Sequence, residues 1–165
     1  MVDISLQTAA DEAEIEILMD GAFGAARHSR SVWTLRVLPP VADLSLVLRD
    51  GGAILASLRF WEVQLGSQIV LLLGPLAVQP ELRDQGYGRK IVADGLARAR
   101  AIDKWPLVLV SGEPEYYPKF GFEPALPYQL DWPGFIEPER LQILELQAGA
   151  LASLVPPLRV RAKVE

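Results

Sequence analysis

The stretch LLLGPLAVQPELRDQGYGRKIVADGLARA, residues 71–99, decides the fold, because it predicts a strand, a glycine loop and a helix in that order. Residues 69–73 are apolar without alternation, which is typical of a central strand buried on both faces. Gly74-Pro75 interrupts the run, and we expect the strand to bend or splay there, since proline has no N–H for the ladder. A helix follows over about residues 88–103, with an apolar face of Ile91, Val92, Gly95, Leu96, Ala99 and Ile102.

The loop Arg83-Asp84-Gln85-Gly86-Tyr87-Gly88 has the chemistry of an anion-binding site. Glycines let a backbone come close to a ligand, and the helix behind them offers unpaired N–H groups and a positive dipole end. Such a loop binds phosphate or pyrophosphate. Arg89 and Lys90 in the first helical turn would oppose the dipole of an isolated helix, but they are compatible with a bound anion.

Two familiar phosphate loops do not match this segment. The dinucleotide fingerprint requires a third glycine at the position that Ile91 occupies. The Walker loop requires Gly-Lys followed by Ser or Thr, whereas Gly88 is followed by Arg89 and Lys90.

The segments before the loop predict strands around one early helix. Thr8 and Asp11 form a capping-box pattern that opens a helix, and Gly24 is its expected end. Asp50-Gly51-Gly52 predicts the turn of a hairpin, and Leu65-Gly66-Ser67 a second turn into the strand of residues 68–78.

The segments after the loop are also strand-rich. Leu107-Val108-Leu109-Val110 is another strand of the buried type. Residues 111–119 predict a loop with a short helix. Two strand-like runs follow, Tyr128 to Leu130 and Leu141 to Leu146, and the second could be an edge strand.

Length and composition indicate one globular domain. The 165 residues are 50% hydrophobic and 22% charged, enough to bury a core without disulfides or metals. We assign residues 1–165 to a single domain, with a core of about 2–124 and a strand-rich extension of about 125–165.

Charge and residue usage exclude several function classes. The net charge of −5 argues against a nucleic-acid footprint, which needs clustered Lys and Arg. The chain has no cysteine, which excludes a thiol nucleophile and Cys-ligated zinc, and fits a cytoplasmic protein. The single histidine, His28, argues against a His-rich metal site, so we expect no metal. The most apolar stretch, residues 69–78, is shorter than the about 20 residues that span a bilayer, and we expect no membrane association.

A second motif gives the loop its context. Leu76-Ala77-Val78, Pro80, Arg83, Gly86 and Gly88 resemble the coenzyme A motif of the Gcn5-related N-acetyltransferases (GNAT), Gln/Arg-x-x-Gly-x-Gly/Ala. About thirty residues further on, the strand of residues 107–110 precedes Tyr116-Tyr117-Pro118-Lys119-Phe120-Gly121-Phe122, which resembles the family's Tyr-x-x-x-Gly-Phe element. Together they are similar to the bacterial YhbS-like branch of that family.

The resemblance implies an α+β fold: a central mixed, mostly antiparallel sheet, flanked by helices, in which the fourth and fifth strands splay. It implies acetyl-CoA as the cofactor, with the pantetheine arm in the wedge between those strands. It also implies that backbone groups of the fourth strand bind the pantetheine amides and that the glycine loop cradles the pyrophosphate. The implied cofactor-binding residues are Leu76, Ala77, Val78, Arg83, Asp84, Gln85, Gly86, Tyr87, Gly88 and Arg89.

Direct transfer of an acetyl group to an amine needs no nucleophile from the enzyme. It needs a neutral amine, although a free alkylammonium has a pKa of about 10.4, and a donor for the thioester oxygen, which a backbone N–H near Val78 could supply. It also benefits from a proton for the leaving thiolate. Tyr117, four residues before Gly121, occupies the family's acid position. No carboxylate lies in residues 68–78, so Glu62 and Glu113 are the candidate bases, with His28 as a candidate substrate contact.

The sequence therefore predicts an N-acetyltransferase acting on a small-molecule or peptide amine, with a homodimer possible. One alternative is a coenzyme A-binding sensor or assembly module without catalysis, which the absence of a fourth-strand carboxylate keeps open. Another is an acyltransferase that uses a different acyl group or acceptor.

Overall fold

The structure, a computed structural model, describes residues 1–24, 27 and 30–164. Its two α-helices are α1 (Glu12–Phe23) and α2 (Tyr87–Ile102). Its strands are β1 (Val2–Leu6), β2 (Leu46–Asp50), β3 (Ala53–Leu65), β4 (Gln68–Val78), β5 (Leu107–Ser111), β6 (Glu123–Pro124), β7 (Leu130–Asp131), β8 (Leu141–Glu145) and β9 (Leu158–Ala162).

The main sheet has the strand order β1-β2-β3-β4-β5-β8-β6, and β9 pairs with the far end of β3. Along this order only β4 and β5 run parallel, and the other neighbours are antiparallel. The pairing of β4 with β5 covers Leu71 to Leu73 and stops there, while β4 continues to Val78. These pairings confirm the predicted mixed, mostly antiparallel α+β fold and the separation of its fourth and fifth strands.

The separation begins at the Gly74-Pro75 interruption. On the β3 side, Leu58 pairs with Leu76 and Phe60 pairs with Leu73, so Gly74 and Pro75 together face the single residue Arg59. Two residues opposite one form a β-bulge, which bends a strand and increases its twist. The bulge therefore turns the end of β4 away from β5, as the sequence predicts.

The helices pack on opposite faces of the sheet. The buried face of α2, which includes Ile91, Val92 and Leu96, contacts Leu58 and Phe60 of β3. The predicted Ile102 is the exception, because it is exposed at the last helical position. The α1 residues Ile15, Leu18 and Met19 pack on the other face against Val47, Ile54 and Ala77. Neither helix of the described chain is long and apolar enough to cross a membrane.

The start of α1 and the turn of the first hairpin follow the sequence closely. The Thr8 N–H donates to Asp11 Oδ2 at 2.9 Å, and one 3-10 turn, Ala9–Asp11, precedes the helix. Gly24 ends α1 with a φ of +81°. Gly51 in the β2–β3 turn has a φ of +62°, a conformation that L side chains rarely adopt.

The C-terminal extension departs from the sequence prediction in three places. The predicted strand Tyr128 to Leu130 is wrong in its first half, since Leu126–Tyr128 is a 3-10 turn and only the short β7 follows. The predicted strand Leu141 to Leu146 exists as β8, but it lies between β5 and β6 and is not an edge strand. The strand β9 was not predicted, because LRVRA alternates over five residues behind a proline-rich segment and gives a weak signal. Through β8 and β9 the extension completes the sheet.

Candidate functional site

A cleft of about 780 Å³ opens where β4 and β5 separate. Its floor is the bulged end of β4, and one wall is the glycine loop with the first turn of α2. The facing walls come from the end of β5 with the turn after it, and from the segment that follows α1. Three parts of the chain that are distant in sequence therefore meet in one space: the segment after α1, the run from β4 into α2, and the end of β5 with the turn after it.

The floor offers backbone groups to a ligand. From Leu76 to Val78, β4 is paired with β3 on one edge, and no described strand pairs with the edge that faces β5. The side chains of Leu76 and Val78 line the cleft. Ala77 points to the opposite face and packs under α1, so it can contribute only its backbone here.

The glycine loop leaves the N-terminus of α2 facing the cleft. The first intrahelical hydrogen bond runs from the Lys90 N–H to the Gly86 carbonyl at 3.0 Å, so the N–H groups of the three preceding residues have no carbonyl one turn back. Gly86 lies at a φ of +86°, and nothing is within 4 Å of the position its Cβ would take. A Cβ on Gly88 would lie 2.9 Å from the Tyr116 hydroxyl, so a side chain there would close the cleft.

The side chains of this loop differ in whether they line the cleft. Arg83, Asp84, Tyr87 and Arg89 line the cleft, and Arg83 also donates to the Ala22 carbonyl at 3.3 Å. Gln85 is exposed and does not line it. The structure thus brings together most of the predicted cofactor-binding residues.

Tyr117 lies at the opposite wall, in the 3-10 turn Tyr117–Phe120. Its ring is 8% exposed and packs edge-on against Tyr116 and Phe122, with ring centroids 5.1 and 5.6 Å away. Burial, with a smaller effect of Tyr116, raises the pKa of Tyr117 well above its ordinary value. The hydroxyl therefore keeps its proton throughout the physiological pH range.

Gly112 makes room for this ring. A Cβ on Gly112 would lie 2.8 Å from Tyr117 Cδ2 and closer still to Cε2, distances at which one of the two residues must move. The position of the Tyr117 ring in the cleft therefore depends on glycine at the end of β5.

The two candidate carboxylates lie in different places. Glu113 lines the cleft, and its Oε1 accepts a hydrogen bond from Arg140 at 3.1 Å. Glu62 is not among the lining residues: it accepts from Trp105 Nε1 at 2.7 Å and pairs with Lys163 and Lys104 at 3.0 and 3.2 Å. Burial alone would raise the pKa of Glu62, but these hydrogen bonds outweigh it and lower the pKa. The structure does not bring Glu62 to the cleft.

The segment after α1 supplies residues that sequence reasoning missed. Arg30, Trp33 and Arg36 line the cleft, with the Arg36 guanidinium carbon 4.5 Å from the centre of the Trp33 ring. The lone candidate from this segment, His28, lies outside the described residues. The segment has no helical or strand periodicity, so the only usable signal was its three arginines around one tryptophan.

Tyr116 was also missed, although it lies next to the predicted Tyr117. It lines the cleft between Gly88 and Tyr117, and burial raises its pKa, which the charge of Arg89 partly offsets. The Lys119 ammonium lies 4.2 Å from the centre of its ring. The tandem Tyr-Tyr in the sequence could have indicated both.

The sequence model of one protein family, the acetyltransferase (GNAT) domain, matches residues 42–124. This segment contains β4, the glycine loop, α2 and Tyr117. Two uncharacterized N-acetyltransferases of Escherichia coli are similar. YjhQ is 29% identical over 121 residues, which are 70% of this chain and 66% of YjhQ. YhbS is 29% identical over 136 residues, which are 79% of this chain and 80% of YhbS.

Two solved structures resemble this one over nearly its whole length. The E. coli YhbS structure in complex with CoA has a TM-score of 0.77 at 26% identity and covers 96% of this chain and 88% of its own. A GNAT acetyltransferase from Brucella melitensis in complex with acetyl-CoA has a TM-score of 0.73 at 25% identity and covers 99% and 96%.

Proposed function

Because this chain belongs to the GNAT family of acetyltransferases, we propose that its cleft binds acetyl-CoA and transfers the acetyl group directly to an amine. The observation that carries the proposal is that one cleft joins the unpaired edge of β4 to the open N-terminus of α2. An extended amide arm fits the first feature and a pyrophosphate fits the second.

Acetyl-CoA would contact two parts of the cleft, the floor formed by β4 and the wall formed by the glycine loop. Backbone groups on the β5-facing edge of β4, from Leu76 to Val78, would bind the pantetheine amides. The N–H groups from Asp84 to Arg89 would hold the pyrophosphate, with Arg83 at the start of the loop. The related YhbS and Brucella structures contain CoA and acetyl-CoA, which supports the same ligand here.

The transfer step makes one C–N bond and breaks one C–S bond. The amine nitrogen attacks the thioester carbonyl carbon, the carbonyl oxygen gains charge, and the electron pair of the C–S bond leaves with sulfur. A backbone N–H near Val78 would stabilise the charged oxygen. The nitrogen loses one proton and the leaving thiolate gains one, so the step is balanced without any oxidant or reductant.

We assign the proton for the thiolate to Tyr117. Its raised pKa keeps the hydroxyl protonated, and the ring lines the cleft opposite the glycine loop. Of the two predicted carboxylates, we assign acceptance of the amine proton, through water or directly, to Glu113, because Glu113 lines the cleft and Glu62 does not.

Calorimetric titration with acetyl-CoA tests the cofactor half of the proposal, with NAD and ATP as controls. We expect saturable binding of acetyl-CoA alone, and acetylation of at least one amine in a screen that follows thiol release. Absence of acetyl-CoA binding by the folded protein would overturn the proposal.

Binding without transfer is the second candidate. It is favoured by one observation: of the described carboxylates, only Asp84 and Glu113 line the cleft, and Glu113 is engaged by Arg140. A sensor would bind acetyl-CoA and release no thiol with any amine offered. A panel of acyl-CoA thioesters separates acetyl transfer from the transfer of a longer acyl group.

Three attributes stay predictions from the sequence. They are a cytoplasmic location, an origin in bacteria, where the similar YjhQ and YhbS are found, and the possible homodimer. Cell fractionation and sedimentation measure the first and the third.

A further inference from the structure

Arg36 lies in the cleft and forms no ion pair with any described residue. Its guanidinium stacks over Trp33 and lies 5.8 Å from the centre of the Trp61 ring, and its terminal nitrogen would be 3.0 Å from a Cβ on Gly74. The buried Nε has no hydrogen-bond partner among the described residues. Burial, with the charges of Arg30 and Arg59, lowers the pKa of Arg36 to about 9. A cation held this way is costly unless an anion binds beside it.

Two buried arginines elsewhere in the chain have the charged partners that Arg36 lacks among the described residues. Arg59, 9% exposed, donates to Gln7 and to Glu12, each at 3.0 Å. Arg27, 6% exposed, has a buried Nε without a partner, but its terminal nitrogens pair with Glu16 and Asp20. The charges of both are therefore balanced within the protein. Among the described residues Arg36 forms no such ion pair, and residues 25–29, part of which lie outside them, contain no acidic residue.

The phosphates of acetyl-CoA do not account for Arg36. Their binding belongs to the glycine loop, where Arg83 and Arg89 line the cleft. Arg36 lies against Trp33, Trp61 and Gly74, at the start of the β4 bulge. The thioester and the pantetheine arm that would pass this point carry no charge.

The space beside Arg36 continues away from β4. A second cavity of about 340 Å³ shares Arg30, Val32, Ser111 and Arg140 with the cleft, and Phe135 and Ile136 add apolar walls. Among the described residues that line it, Glu137 is the one carboxylate, while Arg140 is already paired with Glu113. Arg30 and Arg36 are thus the cations that lack a carboxylate partner among the described residues at this end.

We propose that the amine acceptor carries an anionic group, a carboxylate or a phosphate, that binds the guanidinium of Arg36 with Arg30 beside it. This inference rests on the proposed function, since it names the class of the acceptor. A planar guanidinium matches both anions in a two-pronged geometry. The rest of the acceptor would extend into the second cavity, and its amine would lie near the Gly74 bulge.

A binding experiment tests the anion site without requiring turnover. Benzoate, phenyl phosphate and the uncharged benzamide are titrated into the CoA-saturated protein, and tryptophan fluorescence reports on Trp33 and Trp61. We expect saturable binding of benzoate or of phenyl phosphate, and at least tenfold weaker binding of benzamide. The anion that binds more tightly identifies the group.

Variants locate the site. Arg36→Met should weaken binding of the anion at least tenfold, whereas Arg36→Lys, which keeps the charge but not the fork, should weaken it less. Arg98→Met removes an arginine from an exposed pair with Asp94 on α2 and should change nothing. Circular dichroism and acetyl-CoA calorimetry establish that each variant folds and keeps its cofactor site.

The two hypotheses fail in different ways. If acetyl-CoA does not bind, the proposed function fails, and the same anion titrations of wild type and Arg36→Met without CoA still decide the anion site. If neither anion binds saturably, or if Arg36→Met binds it as wild type does, the acceptor inference fails while the cofactor site stands. In a turnover assay, an amino acid serves as an amine that also carries a carboxylate. It should be acetylated at least tenfold more efficiently than the corresponding amino acid amide, and Arg36→Met should abolish that preference.

Discussion

The two ends of the cleft are built in opposite ways. At the glycine-loop end, a single run from Arg83 to Arg89 presents exposed backbone groups at the start of α2. At the other end, Arg30, Trp33 and Arg36 from one segment meet Tyr117 from a distant part of the chain; Tyr117 is buried, Trp33 and Arg36 are half-buried, and Arg30 is exposed. The first binds through main-chain geometry and the second through side chains.

This difference teaches which end tolerates change. A backbone site of N–H groups is insensitive to most side chains and fails only when its space is filled. A site of packed side chains depends on each ring and each charge, and on the small residues that make room for them. We expect substitutions to separate cofactor affinity from turnover accordingly.

The largest effect should come from filling the loop. Gly86→Glu places a carboxylate where nothing now lies within 4 Å, and it adds negative charge where a pyrophosphate would bind. We expect the affinity for CoA, measured by calorimetry, to fall at least about 100-fold. Gly51→Glu is the matched control, because Gly51 also has a positive φ and open space but lies in the β2–β3 turn. Unchanged affinity of folded Gly86→Glu would contradict the pyrophosphate assignment.

The next largest effect should come from removing the proposed proton donor, the Tyr117 hydroxyl. Tyr117→Phe removes one hydroxyl from a packed ring, so CoA affinity should stay within about twofold while kcat falls about 100-fold. Tyr128→Phe is the control. The Tyr128 hydroxyl donates to Glu123 at 2.8 Å, and Tyr128 is not among the residues that line the cleft. If single-turnover rates of Tyr117→Phe match wild type, Tyr117 is not the proton donor.

A smaller effect should follow from crowding the same ring. Gly112→Ala forces Tyr117 to shift, and overpacking of this kind costs about 1–3 kcal/mol. We expect a lower melting temperature and a kcat reduced about tenfold, with CoA affinity retained. Gly52→Ala, where a Cβ meets nothing within 4 Å, should change neither quantity. A fully active, fully stable Gly112→Ala would show that the ring position is not critical.

The smallest effect should be a loss of stability at Glu62, which lies outside both ends of the cleft. The pKa of Glu62 is lowered in the folded protein, so its contribution to stability is present above the unfolded pKa of about 4.3 and is lost as the pH falls below it. Glu62→Gln should cost about 1–3 kcal/mol at pH 7, with a smaller difference from wild type at pH 3.5. Turnover should be unchanged. A large loss of kcat with intact stability would restore Glu62 as a candidate base.

Asp94→Asn is the control for this stability measurement. It breaks the exposed Asp94–Arg98 pair on α2, and we expect a change below about 0.5 kcal/mol at either pH.

Sequence reasoning was most successful where the signal is contiguous. Both turns, the bulge at Gly74-Pro75 and the glycine loop before α2 follow from local chemistry, since each depends on a backbone conformation or a missing N–H. The C-terminal strands were harder. The position of β8 between β5 and β6 and the pairing of β9 with β3 depend on partners in other parts of the chain, which for β9 are more than ninety residues away.

The sequence by itself determined the order strand, loop and helix, the place where β4 leaves β5, and a loop with the chemistry of an anion site. Only the tertiary structure decided that Glu62 is bound by Trp105 and two lysines outside the cleft, and that Arg36 stacks on Trp33 without a carboxylate partner among the described residues. The physical reason is range. Turns and helix ends are set by a few neighbouring residues, whereas the balance of a buried charge depends on every segment that folds around it.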